Sequence, residues 1–343
     1  MRARLLLPLV FLALLLLAWS QNPTPSGQLP ALRDKIIELN SVAPKEGGSW
    51  PDEWIAGKDC DNDPAFQVHA YNANTFFIRQ SKCDIYEAPF LYLLFGEDEA
   101  LLMDTGALDT APLRATIDGV IEQWLLDNGR TSIPLTVAHT HGHFDHVQGD
   151  GQYPNGSFYG RFVSAQANVA LPFFGFDDYP NDVPSFDLGG RVIDVLGTPG
   201  HHPVSVTLYD RNTHLLLPGD IVYPGHLFVF SKGEWTDFVA SIQRMVDWAA
   251  THPVKWVVGC HIETSEFPFT PFAYTTTVHP REHVLEFAPT ILTEILEAAL
   301  SFDGVPECTI FEEFVIHPVY KCGITWNGDT DTDTDSGRAR RGR

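Results

Sequence analysis

Three imidazoles and one carboxylate fall within the short stretch Thr140-His141-Gly142-His143-Phe144-Asp145-His146. Imidazole nitrogens and carboxylate oxygens are the donors that borderline divalent ions take, so the chemistry on offer is metal binding. On extended chain, His141 and His143 lie two residues apart and present both rings to one side. Asp145 and His146 follow a turn and face a second point. That pattern suits two ions held roughly 3.5–4 Å apart with oxygens shared between them. A histidine-rich surface loop, or histidines satisfied in a core, is the plainer explanation of any one of these side chains. It explains four of them in one short stretch poorly.

Positioning such a cluster requires strands. The apolar run Leu135 to Ala138 leads straight into it. Three further candidates stand in the same relation to apolar runs. Thr198-Pro199-Gly200-His201 follows Val192 to Leu196, Pro218-Gly219-Asp220 follows Leu215 to Leu217, and Gly259-Cys260-His261 follows Trp256 to Val258. Runs of this length and β-type composition read as buried strands, each delivering its last residues to one edge of a sheet.

H-x-H-x-D-H, followed in order by these three segments, resembles the signature of the metallo-β-lactamase fold superfamily over residues 75 to 265. The resemblance implies an α/β fold, a four-layer αββα sandwich. It also implies a ligand set: His141, His143 and His201 for one metal, Asp145, His146 and His261 for a second, and Asp220 bridging them. Two divalent ions are expected, zinc first, with iron or manganese also compatible. Water between them would lose its proton near neutral pH and attack as hydroxide. Asp145 and Asp220 are the candidates to orient that water or carry its proton.

Asp104-Thr105-Gly106 resembles the family's D-T-G element, whose carboxylate braces the metal-binding loop, although a simple turn Asp would give the same three residues. An Asp at 220 resembles lactonases, glyoxalase II-type thioesterases and phosphodiesterases more than true β-lactamases. Tyr223 resembles a tyrosine of the acyl-homoserine lactonases whose phenol donates to the substrate carbonyl; a packed aromatic is the alternative. Phe267, Phe269, Phe272 and Tyr274 suit a small-molecule substrate with an apolar acyl part better than a glutathione-like anion. The expected activity is a secreted, dinuclear metal-dependent hydrolase acting on a carboxylic ester or lactone. Competing readings are a thioester or phosphoester hydrolase, an iron-dependent oxidoreductase, and a silent binding protein on the same scaffold. His139 and His202, which flank ligands, are expected to act around the metals or on substrate, and the remaining histidines to be structural.

The chain has 343 residues and a formal charge of −22. That excess of acid argues against nucleic-acid or anionic-membrane partners, which need clustered Lys and Arg. Met1 to Ser20 has Arg2 and Arg4 ahead of an apolar core and small residues at its end, the pattern of a secretory leader. Its apolar part is shorter than the roughly 20 residues of a spanning helix, so no stable membrane span is expected after cleavage. Secreted or periplasmic placement follows, and five cysteines suit it. The expected pairs are Cys60–Cys83 and Cys308–Cys322, although four cysteines admit three pairings. Cys260 is left as a small buried hydrophobe. The expected organisation is a leader (1–20), an N-terminal extension (21–59) holding a helix over Ala31 to Asn40, a catalytic domain (60–326) and a disordered Asp/Thr- and Arg-rich tail (327–343).

Within the domain, strands are expected at Asn74 to Arg79, Phe90 to Phe95, Ala100 to Met103 and Val204 to Tyr209. Helices are expected from Thr110 to Asn128, Thr236 to Ala250 and Pro289 to Ser301. Leu171 to Gly190 reads as a long irregular connection whose Phe173, Phe174 and Phe176 either wall a pocket or form a satellite core.

Overall fold

The computed structural model describes residues 25–157 and 159–322; the expected leader and tail lie outside the described residues. Helix α1 (Pro25–Asn40) is followed by β1 (Phe66–Asn72), β2 (Thr75–Gln80), β3 (Phe90–Phe95) and β4 (Ala100–Met103), an antiparallel series. Helix α2 (Leu113–Asp127) then crosses over to β5 (Leu135–Ala138), parallel to β4, and β6 (Gly160–Phe162) completes a six-stranded sheet. A one-turn helix α3 (Phe144–Val147) lies between β5 and β6, and α4 (Ala167–Phe174) follows β6.

The second six-stranded sheet contains β7 (Ser185–Asp187), β8 (Val192–Gly197), β9 (Val206–Asp210) and β10 (Leu215–Gly219). After β11 (His226–Val229) and α5 (Lys232–Ala249), the chain returns to it with β12 (Trp256–Gly259) and β13 (Glu286–Phe287). Helix α6 (Ile291–Ser301) precedes β14 (Thr309–Ile310) and β15 (Val315–Pro318), which join β11 in a small third sheet. Helix α7 (Val319–Cys322) ends the described chain.

The period-two alternation of strand side chains builds the layers. In β3, Leu91, Leu93 and Phe95 pack with Leu113, Ile117 and Trp124 of α2, while Phe90, Tyr92 and Leu94 face the second sheet. In β10, Leu215 and Leu217 face the first sheet, and Leu216 faces α5 and α6. The order is therefore helix, sheet, sheet, helix. Helix α1 belongs to the last layer, where Leu29 and Ile36 are buried against the same core as α5 and α6. Strands buried on both faces are near-continuous apolar runs, which is why they stood out in the sequence.

Arg191 pins the two sheets together. Its guanidinium donates to the Asn74 and Phe95 carbonyls and the Thr75 hydroxyl of the first sheet, and to Asp210 Oδ2 of the second at 2.6 Å. Both charges are buried.

Some elements differ from the sequence reading. Strand β1 was not expected, because as an edge strand it buries only Phe66 and Tyr71 and shows little alternation. The stretch 171–190 is more ordered than expected: it holds the end of α4, closed by the left-handed Gly175, and the edge strand β7. Phe174 and Phe176 are buried in the layer between the sheets with Phe173 at its margin, so these rings are core. Cystines join Cys60 to Cys83 and Cys308 to Cys322. Among the described residues no helix is long and apolar enough to cross a membrane.

Replacing Arg191 with Ala would leave Asp210 buried without its countercharge. Urea unfolding of Arg191→Ala should show a loss of about 3–5 kcal/mol; a loss below about 1 kcal/mol, the range of exposed pairs, would contradict the pinning role.

Candidate metal centre

Strands β8 and β10 are each antiparallel to β9, and β12 is parallel to β10, so all three end at the same edge of the second sheet. His201 lies just beyond β8, Asp220 directly after β10 and His261 just beyond β12. From the first sheet, β5 delivers His141 and His143, and α3 carries Asp145 and His146. The seven residues named from the sequence thus meet across the gap between the two sheets.

Two glycines permit the close approach. Gly200 has φ +136°, and a Cβ there would stand 2.4 Å from Phe238 Cα of α5. Gly219 has φ +62°, and its Cβ would come within 3.0 Å of Thr140 Cβ. A side chain at either position would push a strand end away from the cluster.

Four imidazoles converge on one oxygen. Asp220 Oδ2 lies 3.2 Å from His146 Nε2, 3.3 Å from His261 Nε2, 3.6 Å from His201 Nε2 and 3.8 Å from His141 Nε2. Asp145 Oδ2 lies 3.5 Å from His146 Nε2 and 3.4 Å from His261 Nε2. His143 Nδ1 sits 3.0 Å from His141 Nε2 and 2.8 Å from His201 Nε2. Among the described residues, donor atoms within 4.8 Å of one another form three sets: His141, His143 and His201; Asp145, His146, Asp220 and His261; and, behind His146, Asp104, His146 and Cys260.

The outer nitrogens of several rings are anchored, which turns the inner ones toward the cluster. His201 Nδ1 donates to the Phe228 carbonyl at 3.1 Å, and His261 Nδ1 donates to the Glu87 carbonyl at 3.0 Å. His146 Nδ1 donates to Asp104 Oδ2 at 2.9 Å. Each bond orients its ring so that Nε2 points inward. Asp104 also accepts the Thr140 amide and hydroxyl, both at 2.8 Å, and so holds the start of the histidine loop. It does this from a left-handed backbone conformation, φ +73°.

Burial, then neighbouring imidazoles, keeps His141 and His143 well below the usual histidine range. Burial lowers His201 too. Burial opposes charge on His146 and His261 as well, but Asp220 and Asp145 outweigh it and hold both well above the usual range. The same pairing overrides the burial of Asp145 and Asp220 and keeps both carboxylates low.

These donors fit divalent cations. Lone pairs of three rings crowd together around His143 Nδ1, where a cation would satisfy all of them. Asp220 Oδ1 is buried and makes no hydrogen bond, as suits an oxygen meant for something other than a protein donor. The centre is therefore able to bind metal.

Other candidates sit elsewhere. Tyr223 lies 5.4 Å from the His261 ring, but its hydroxyl donates to the His226 carbonyl, so it has a protein partner already and packs as a buried aromatic. Phe267 and Phe269 are 48% and 62% exposed, and Phe272 stacks on His279 at 4.0 Å. Of the four aromatics expected to receive an acyl group, Tyr274 alone turns to this region, donating to Glu87 Oε1 at 3.2 Å. Cys260 is buried against Tyr92 and its thiol is pushed up to about 12, chiefly by burial, as fits an unreactive core residue. His139 bonds Asp150 and the Val163 carbonyl, a bracing role for the strand end. His202 stands beside the cluster, its ring 5.0 Å from His143.

Sequence reasoning missed Glu87, Tyr86, Phe228 and Phe230. Burial, with Asp145 beside it, pushes the Glu87 carboxyl up to about 8. No spacing marked it; only the cystine and strand β3 on either side hint that its segment is fixed.

Asp104→Asn removes the acceptor charge that orients His146. Competition against a chromophoric chelator should show metal affinity reduced about 10–100-fold; unchanged affinity would contradict the brace.

Residues 88–247 match the family model described as the Metallo-beta-lactamase superfamily. The chain is 24% identical to the acyl-coenzyme A thioesterase MBLAC2 of Bos taurus over 203 residues, covering 51% of this chain and 73% of that protein. It is 32% identical to the hydroxyacylglutathione hydrolase of Anaeromyxobacter dehalogenans over 142 residues, covering 39% of this chain and 46% of that protein. A solved metallo-beta-lactamase from Pontibacter korlensis aligns at TM-score 0.45 and 15% identity, over 68% of this chain and 99% of that one. Residues 88–247, which carry the histidine loop, His201 and Asp220, thus form a domain of the metallo-β-lactamase superfamily of metallo-hydrolases.

Proposed function

We propose that this protein is an exported hydrolase of carboxylic esters or lactones that works through two divalent ions, zinc first. His141, His143 and His201 would hold one, Asp145, His146 and His261 the other, and Asp220 both. The observation that carries the reading is Asp220: one oxygen faces four imidazole nitrogens and the other, though buried, is unpartnered. Bound there, the ions would polarise the scissile carbonyl and bring the pKa of water toward neutrality.

The chain's own contribution is orientation and proton handling. Phe228, Glu87 and Asp104 keep three ligand rings in the tautomer that binds. Asp145 Oδ2, beside His146 and His261, would accept a hydrogen bond from the attacking water and hold its proton. Two cystines support export, since such bonds persist in oxidising compartments.

The name of the MBLAC2 relative favours a thioester as the second reading. The chain's charge of −22 weighs against a highly anionic carrier, so ester or lactone ranks first.

A panel of aryl esters, short and long acyl lactones, a thioester, a phosphodiester and a β-lactam, run with zinc-loaded and EDTA-treated protein, tests the class. Ester or lactone turnover abolished by EDTA is expected; turnover of the thioester alone would favour the second reading. Asp220→Ala should lose metal and activity together, and full activity without Asp220 would sink the two-ion mechanism. Tyr223→Phe should change kcat by less than about threefold, because its hydroxyl is spent on His226; a tenfold loss, the scale of a positioned proton donor, would restore it as a donor to substrate.

A further inference from the structure

A continuous aromatic wall runs beside the metal centre. Phe230, half-buried after β11, lies 5.3 Å from the His143 ring and 5.5 Å from the His201 ring. Phe228 stacks parallel to it at 6.2 Å, and Tyr274 meets Phe228 edge-on at 5.6 Å. Tyr86 continues the path, edge-on to Tyr274 at 5.6 Å, with the two hydroxyls 3.3 Å apart. Tyr274 then reaches Glu87.

Both ends of this wall are tied to ligands through the backbone. The Phe228 carbonyl takes the Nδ1 proton of His201, and the Glu87 carbonyl takes that of His261. The path therefore spans both halves of the centre. A group lying on it carries its carbonyl at the cluster without a long connecting chain. Aromatic faces receive flat apolar groups in offset or edge-on contact and have nothing to pair with a negative charge.

The polar end of the wall is acidic. Glu87 and Glu263 stand there with Asp145, and the nearest lysine, Lys82, is buried and donates its ammonium proton to the Tyr86 carbonyl. An anionic acyl chain would meet the Asp145 carboxylate, whereas a neutral one meets rings.

Resting on the hydrolase reading above, we infer that the substrate is a neutral ester or lactone with an aryl or similarly flat apolar acyl group, laid against the half-buried Phe230 and Tyr274, with the buried Phe228 ring backing both. The wall selects the acyl side, and the metals act on its carbonyl.

The test uses zinc-loaded full-length protein and three ethyl esters that share one leaving group: acetate, phenylacetate and the succinate half-ester. Wild type should favour phenylacetate over both others in kcat/KM by at least about tenfold, the discrimination a well-fitted apolar group provides. In Phe230→Ala and Tyr274→Ala the phenylacetate-to-acetate ratio should collapse about tenfold with metal content unchanged. Tyr274 packs on Tyr86 and Phe228 and bonds Glu87, so its variant separates acyl recognition from damage to the centre. Equal turnover of acetate and phenylacetate by wild type, or equal loss on both in the variants, would overturn the inference while leaving the hydrolase reading intact. Should wild type hydrolyse no ester, that reading fails, and calorimetry with the inert phenylacetamide decides the wall on its own. Binding weakened about tenfold in both variants would support it; no binding by wild type, or equal binding by all three proteins, would overturn it.

Discussion

Asp220 is buried at the meeting point of both sheets, and its Oδ2 is ringed by four histidines. A buried carboxylate is costly unless charge or hydrogen bonds compensate it. Around it the compensation comes chiefly from His146 and His261, which Asp220 and Asp145 hold well above the usual range, while burial keeps His141 and His143 well below it. Two carboxylates and five rings packed together are stable only with mutual pairing or with cations among them. The rest of the architecture serves that concentration of donors. Three strands of the second sheet run in one direction so that His201, Asp220 and His261 arrive at one edge, and β5 brings His141 and His143 from the other sheet.

Rigidity comes from outside the cluster. Asp104 ties the histidine loop to α3 through Thr140 and His146, and carbonyls at Phe228 and Glu87 set two more rings. At the other end of β8, Arg191 clamps the sheets through a buried ion pair and two backbone carbonyls. Gly200 lets its strand end touch the backbone of α5 at Phe238, and Gly219 lets its own seat against the Thr140 side chain. Each device spends local stability or conformational freedom at a place where position matters to the centre.

The ligand strands were legible because each is buried on both faces and so appears as an unbroken apolar run ending in Gly, Pro or His. Both disulfides are the local pairs expected, one of three pairings that four cysteines admit. The aromatic wall was not legible. Phe228 sits on, and Phe230 just after, a short strand whose partner, β15, is remote in sequence, and nothing local says that Phe230 lies beside His143 and His201. Glu87 is an ordinary acid until burial and Asp145 change it. Tyr223 shows the converse: its spacing from Asp220 suggested a donor to substrate, and only the fold reveals that its hydroxyl also has the His226 carbonyl as partner. Phe267 and Phe269 likewise carried the right chemistry to the wrong surface. Sequence pattern thus reports which residues a strand delivers, whereas side-chain surroundings depend on contacts made by distant segments.

The central claim is that two ions share Asp220. Crystals of zinc-dialysed protein, measured at the zinc absorption edge alongside elemental analysis of the same sample, address it directly. Two ions per chain are expected, as two anomalous peaks roughly 3.5–4 Å apart with an Asp220 oxygen between them. A single peak among His141, His143 and His201, or zinc held away from Asp220, would contradict the account.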